Sequence, residues 1–120
     1  MFVKHLEDCE EFIAGDNSIL REVLHPKNDK IKIGYSIAYA KVKPGETTYL
    51  HKLKSSEVYF ILNGEGEIYV DGEQKKVFSG HVVYIPPNST QKIRNVGNTD
   101  LEFLCIVYPA WKVEDEEILE

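Results

Sequence analysis

The sequence predicts an all-β fold, and three observations carry that expectation. From Lys32 onward the chain falls into short runs rich in Val, Ile, Tyr, Phe and Thr. Turn-forming dipeptides punctuate these runs at intervals near ten residues, the spacing of a sandwich or barrel. Helical periodicity is almost absent from the middle of the chain. With 120 residues, 42% hydrophobic and 28% charged, the chain is expected to form one domain that buries roughly 60–70% of its unfolded surface without disulfide staples.

Taken in order, Leu6–Ala14 offers a short helical pattern, and Ser18–Leu24 reads as a strand that His25-Pro26 ends, because a residue before proline is held extended. The strands that follow are Lys32–Val42, Thr47–His51, Glu57–Leu62, Glu67–Val70, Gln74–Val77, Val82–Ile85, Thr90–Asn95 and Leu101–Val107. Pro44-Gly45 suits a type II turn, Asn63-Gly64 a positive φ, and Asp71-Gly72 a two-residue hairpin. Asn95-Val96-Gly97-Asn98 closes another. The acidic tail carries a helical pattern over Val113–Leu119. So many antiparallel strands in one small domain must hide their edges, which a double-sheet jelly roll does.

Charge narrows the partners. Fourteen basic residues against twenty acidic ones leave a net charge of −6, which repels phosphate backbones and anionic membranes, and no basic patch offsets it. Neither nucleic acid nor membrane is therefore an expected partner. No apolar run approaches the ~18–20 residues of a membrane span, and the start MFVKHLEDCE is too charged for a signal peptide. The expected compartment is the cytoplasm, with Cys9 and Cys105 as thiols. Twelve of the basic residues are Lys and fourteen of the acidic ones are Glu, a bias found in hyperthermophile proteomes.

Polar residues interrupt two of the strand regions at fixed spacings. The first reads Gly45-x5-His51-x-Leu53-x3-Glu57-x6-Gly64. Fifteen residues later the second reads Gly80-x5-Pro86-x-Asn88-x2-Gln91-x3-Asn95. Strand alternation puts Glu57, Tyr59 and Ile61 on one face and Gln91, Ile93 and Asn95 on one face, with Lys92 and Arg94 opposite. His51 and Leu53 share parity. A neutral imidazole, a carboxylate and an amide oxygen from these segments would make a three-donor set with open positions.

These segments resemble the two-motif signature of the cupin superfamily, Gly-x5-His-x-His-x3-4-Glu-x6-Gly followed by Gly-x5-Pro-x-Gly-x2-His-x3-Asn. The resemblance implies a double-stranded β-helix, the cupin jelly-roll barrel, with its core over residues 32–108, an N-terminal arm and a short C-terminal tail in a single 1–120 domain. It also implies a divalent metal, Mn, Fe, Ni or Zn, at His51, Glu57 and Gln91. Leu53 and Gln91 replace two of the family's histidines. His25, Tyr49, Leu53, Tyr59, Ile93 and Trp111 are the expected pocket residues, and Asn88 is expected in the left-handed conformation the family gives to glycine.

The function implied is binding of a small polar molecule in the barrel, sugar-like by similarity to the cupin domains of mannose-6-phosphate isomerases. The alternative is a metal-free module that senses a ligand or contacts another protein. Small cupins commonly pair through barrel faces or exchanged N-terminal strands, so a homodimer is expected. No nucleophile elbow, phosphate loop or Cys/His zinc pattern occurs.

Overall fold

A computed structural model describes all 120 residues as two antiparallel sheets closed around one apolar core, with no α-helix. The strands are β1 (Glu11–Ile13), β2 (Ile19–Leu24), β3 (Ser36–Val42), β4 (His51–Leu53), β5 (Ser56–Asn63), β6 (Glu65–Val70), β7 (Glu73–Phe78), β8 (Val82–Ile85), β9 (Thr90–Asn95), β10 (Leu101–Tyr108) and β11 (Glu116–Ile118). One sheet has the order β1-β2-β3-β10-β5-β8 and the other β11-β4-β9-β6-β7. Non-sequential neighbours such as β3 beside β10 and β4 beside β9 define the jelly roll.

Alternation sets what fills the interior. Tyr59 and Ile61 from β5, Ile68 from β6, Ile93 from β9, and Leu101, Phe103 and Cys105 from β10 all belong to the buried core. Each alternates with outward residues, as a two-residue period requires. The turns carry the expected chemistry. Asp71 (φ 48°) and Gly72 (φ 84°) join β6 to β7 with two successive positive φ values, the requirement of a type I′ hairpin. Asn88 has φ 65° and donates its N–H to the Leu53 carbonyl at 2.8 Å, forming the corner that delivers β9.

Four local expectations change. The strand expected over Lys32–Val42 starts at Ser36. Thr47–His51 is a single bridge at Thr47 followed by a strand that begins only at His51. In between, the Thr48 N–H bonds the Ile93 carbonyl and the Tyr49 N–H bonds the Asp16 carbonyl, so the ladder breaks there. Leu6–Ala14 is a 3-10 turn at Leu6–Asp8 and then β1, which pairs with β2. Val113–Leu119 is a 3-10 turn at Val113–Asp115 and then β11, which pairs with β4. In both terminal segments a sheet edge supplies ladder partners that a single short helix could not replace.

Candidate functional site

The interior is not filled evenly. A cavity of about 170 Å³ lies at one end, walled by β1, β2, β3, β4, β5, β10 and the C-terminal tail. A void of ~150 Å³ is enough for a benzene-sized ligand. Most of its wall is apolar, from residues such as Leu20, Ala38, Leu53 and Phe103, and its acidic and imidazole members are Asp16, Glu22, His51, Glu57 and Glu116.

His51 sits at the start of β4 and is only 3% exposed. Its Nδ1 lies 2.7 Å from the Tyr49 carbonyl and donates to it, since a carbonyl oxygen only accepts. The other ring nitrogen, Nε2, makes no hydrogen bond and stands 3.8 Å from Asp16 Oδ2. Asp16 itself is held by Ser18, whose backbone N–H and hydroxyl both donate to Asp16 Oδ1, at 3.0 and 2.6 Å. That turn leaves Oδ2 on the cavity side. Glu116, at the start of β11, accepts from Trp111 Nε1 at 3.4 Å and packs where a side chain on Gly15 would stand, 2.8 Å from its Oε1.

Glu57 is a buried carboxyl group with no salt-bridge partner. Burial pushes its pKa up to about 8, the Gln91 amide partly opposes that, and negative Asp16 and Glu116 add to it. At neutral pH the carboxyl therefore holds a proton. Burial also raises Glu116, with His51 opposing. The Tyr59 and Cys105 groups are pushed well above their usual ranges by burial first and by Glu57 second.

The structure brings His51, Leu53, Glu57, Tyr59 and Trp111 to the cavity wall and leaves Gln91, His25, Tyr49 and Ile93 outside it. Gln91 is 1% exposed and is committed within the barrel: its Oε1 accepts from the Tyr59 hydroxyl at 2.9 Å and its amide faces Glu57. His25 ties the tail to the loop after β2. Its Nδ1 accepts from Lys27 N–H at 3.2 Å, so Nε2 carries the proton and donates to the Trp111 carbonyl at 2.7 Å. Tyr49 is 43% exposed and Ile93 is sealed in the core.

The metal expected at His51, Glu57 and Gln91 does not fit this donor set. Leu53 places a hydrocarbon side chain at one family ligand position, Gln91 is engaged with Tyr59, and no three His, Cys, Asp or Glu side chains come together in a metal-holding arrangement. Asp16, 3.8 Å from His51 Nε2, and Glu116, on the same cavity wall, are site residues that the motifs did not indicate. Both lie outside the two-motif region, in a turn and in an acidic tail, where their sequence neighbours carry no distinguishing pattern. Only the Asp-x-Ser turn around Asp16 left a local signal.

A small antiparallel jelly roll with a buried His/Glu pair facing its interior defines a cupin-type barrel. Residues 38–107 match the cupin domain family, and the chain belongs to it. It is 46% identical to the Methanocaldococcus jannaschii protein MJ1618 over 115 residues, 95% of this chain and 91% of that one. It is 38% identical over 71 residues to the oxalate-binding protein of Thermotoga maritima, covering 58% of this chain and 59% of the relative. Among solved structures, a predicted oxalate decarboxylase of Thermotoga maritima superimposes with a TM-score of 0.78 at 25% identity, over 90% of this chain and 99% of that one.

Proposed function

We propose that this cupin binds a compact small molecule in the cavity between its sheets, anchored at His51 and Glu57, and that it does so without the family's four-ligand metal. The observation that carries this reading is the void itself. An apolar chamber that ends in a buried imidazole with a free Nε2 and a buried carboxyl with no cation is arranged as binding sites are, with few polar groups on an apolar wall.

Trp111 is the only tryptophan of the chain and lines the cavity, so its emission reports entry of a ligand. The test is a small-molecule collection screened by Trp111 fluorescence and by thermal shift, since a ligand of the folded state alone raises the midpoint. Hits that the parent binds and His51→Ala does not support the reading. Hits that bind both equally contradict the site. Metal content measured on protein purified without chelator checks the other half: stoichiometric Mn, Fe, Ni or Zn would overturn the metal-free reading.

One observation favours a catalytic use of the same chamber. A carboxyl whose pKa is pushed up to about 8, facing the same cavity as the His51 imidazole, places two proton-exchanging groups together, the requirement for general acid–base chemistry. Conversion of a bound hit by the parent and not by Glu57→Gln supports it; binding without conversion by either contradicts it.

Association is read from the outer face of the six-stranded sheet. Leu104, Phe60 and Val82 form one cross-strand row, and Ile106, Val58 and Tyr84 the next. Val82 and Tyr84 are each 62% exposed. This uncharged face over three strands fits a second copy of the chain. Light scattering should give twice 13.8 kDa, and Phe60→Glu should halve it; a parent mass of one chain would contradict the pairing.

A further inference from the structure

We infer that the cavity selects a small primary ammonium ligand with a short apolar body, and rejects carboxylates and phosphates. The inference rests on the proposed binding function and names the chemical class it serves.

The geometry supplies two independent observations. The first is the sign of the wall: Asp16, Glu22, Glu57 and Glu116 all line the chamber, and it contains no Lys or Arg. The second is His51, a side chain almost wholly buried, whose Nε2 faces the chamber without a hydrogen bond because Nδ1 is already committed to the Tyr49 carbonyl. With Asp16 Oδ2 at 3.8 Å from Nε2 and the Glu57 carboxyl on the same wall, the polar end presents acceptors where an ammonium group presents three N–H donors. Tyr59 and Trp111 bring aromatic rings to the wall, a residue type that attracts cations, and Leu20, Ala38 and Leu53 take an alkyl stem.

An oxalate-like dianion meets the opposite situation. Without a metal, Lys or Arg, its charges would face the acidic groups Asp16, Glu22 and Glu116 in a medium where like charges repel strongly. A sugar phosphate fails for the same reason.

The test uses three probes that differ only in head group, n-butylammonium, 1-butanol and butyrate, titrated at neutral pH while Trp111 emission and the melting temperature are followed. Butylammonium should bind about tenfold or more tighter than butanol, the value of charge-assisted hydrogen bonds, and butyrate should not bind. Asp16→Asn should weaken butylammonium by a similar factor and leave butanol unchanged. Asn retains the Oδ1 that holds Ser18, and an unshifted melting temperature verifies the fold. Butyrate binding as well as butylammonium, or an Asp16→Asn variant that binds butylammonium like the parent, overturns the inference. So does Mn²⁺ binding tightly where butylammonium does not. If all three probes bind equally and the cavity-filling Ala38→Leu abolishes them all, charge selection falls while the cavity remains the binding site. If no probe binds and Ala38→Leu alters no response to any screened molecule, both fall.

Discussion

The two ends of the barrel interior are built from the same strands and used differently. Around β6, β7 and the start of β10, Ile61, Ile68, Ile93 and Leu101 meet with at most 5% exposure, and Gly66 is required because a Cβ there would stand 2.9 Å from Leu101 Cδ2. At the other end the same β5 and β10 turn Glu57, Tyr59, Phe103 and Cys105 toward an open chamber. Close packing is the default of a protein interior. A chamber retained beside a well-packed core, and furnished with a carboxyl and an imidazole, is the site proposed for binding, while the filled end carries stability.

Substitutions sharpen that division. Removing core volume at the filled end should have the largest effect: Ile61→Ala should cost ~2–5 kcal/mol, measured by denaturant unfolding, because a fully buried branched side chain leaves a void its neighbours cannot close. A loss under a tenth of that would mean the filled end is loosely packed.

At the open end stability should depend on pH through Glu57. Its folded value near 8 lies above the ordinary 4.5, so the folded state binds the proton more tightly than the unfolded chain. Its contribution is fully present below about pH 4.5 and is lost as pH rises through about 8. Across that window the parent should lose up to a few kcal/mol relative to Glu57→Gln, seen as diverging melting temperatures. Parallel curves would mean that a cation neutralises Glu57.

Adding volume at the filled end comes next. Gly66→Ala should cost ~1–3 kcal/mol through overpacking, since Leu101 is fully buried and cannot swing aside. Thermal unfolding matching the parent would contradict the close packing there.

The smallest effect expected is a gain of function. Leu53→His with Gln91→His restores the family's four ligand positions and should raise Mn²⁺ or Ni²⁺ affinity by at least ~10-fold in calorimetric titration. No gain would mean that these four positions do not converge.

Much of this was legible in the sequence. Asp71-Gly72 and Asn63-Gly64 mark their turns, Asn88 takes the positive φ expected of it, and the parity of Glu57, Tyr59 and Ile61 directs them inward. What was not legible depends on contacts far apart in the chain. Alternation turns Gln91 inward but does not reveal that the Tyr59 hydroxyl occupies its oxygen. Asp16 and Glu116 join the site only because β2 extends one sheet and β11 the other, and nothing local to either residue encodes that meeting. His25, expected at the pocket, fastens the tail that carries Trp111 and Glu116.

Ala38→Leu separates the two ends in one variant. Ala38 lies on β3 at the chamber wall, and the larger side chain should fill open space. Measured by thermal unfolding together with the Trp111 response to n-butylammonium, the variant should melt at or above the parent temperature and lose the response. A drop in stability like that of Gly66→Ala, or a response that survives, would show that this end of the barrel is not the open binding chamber described.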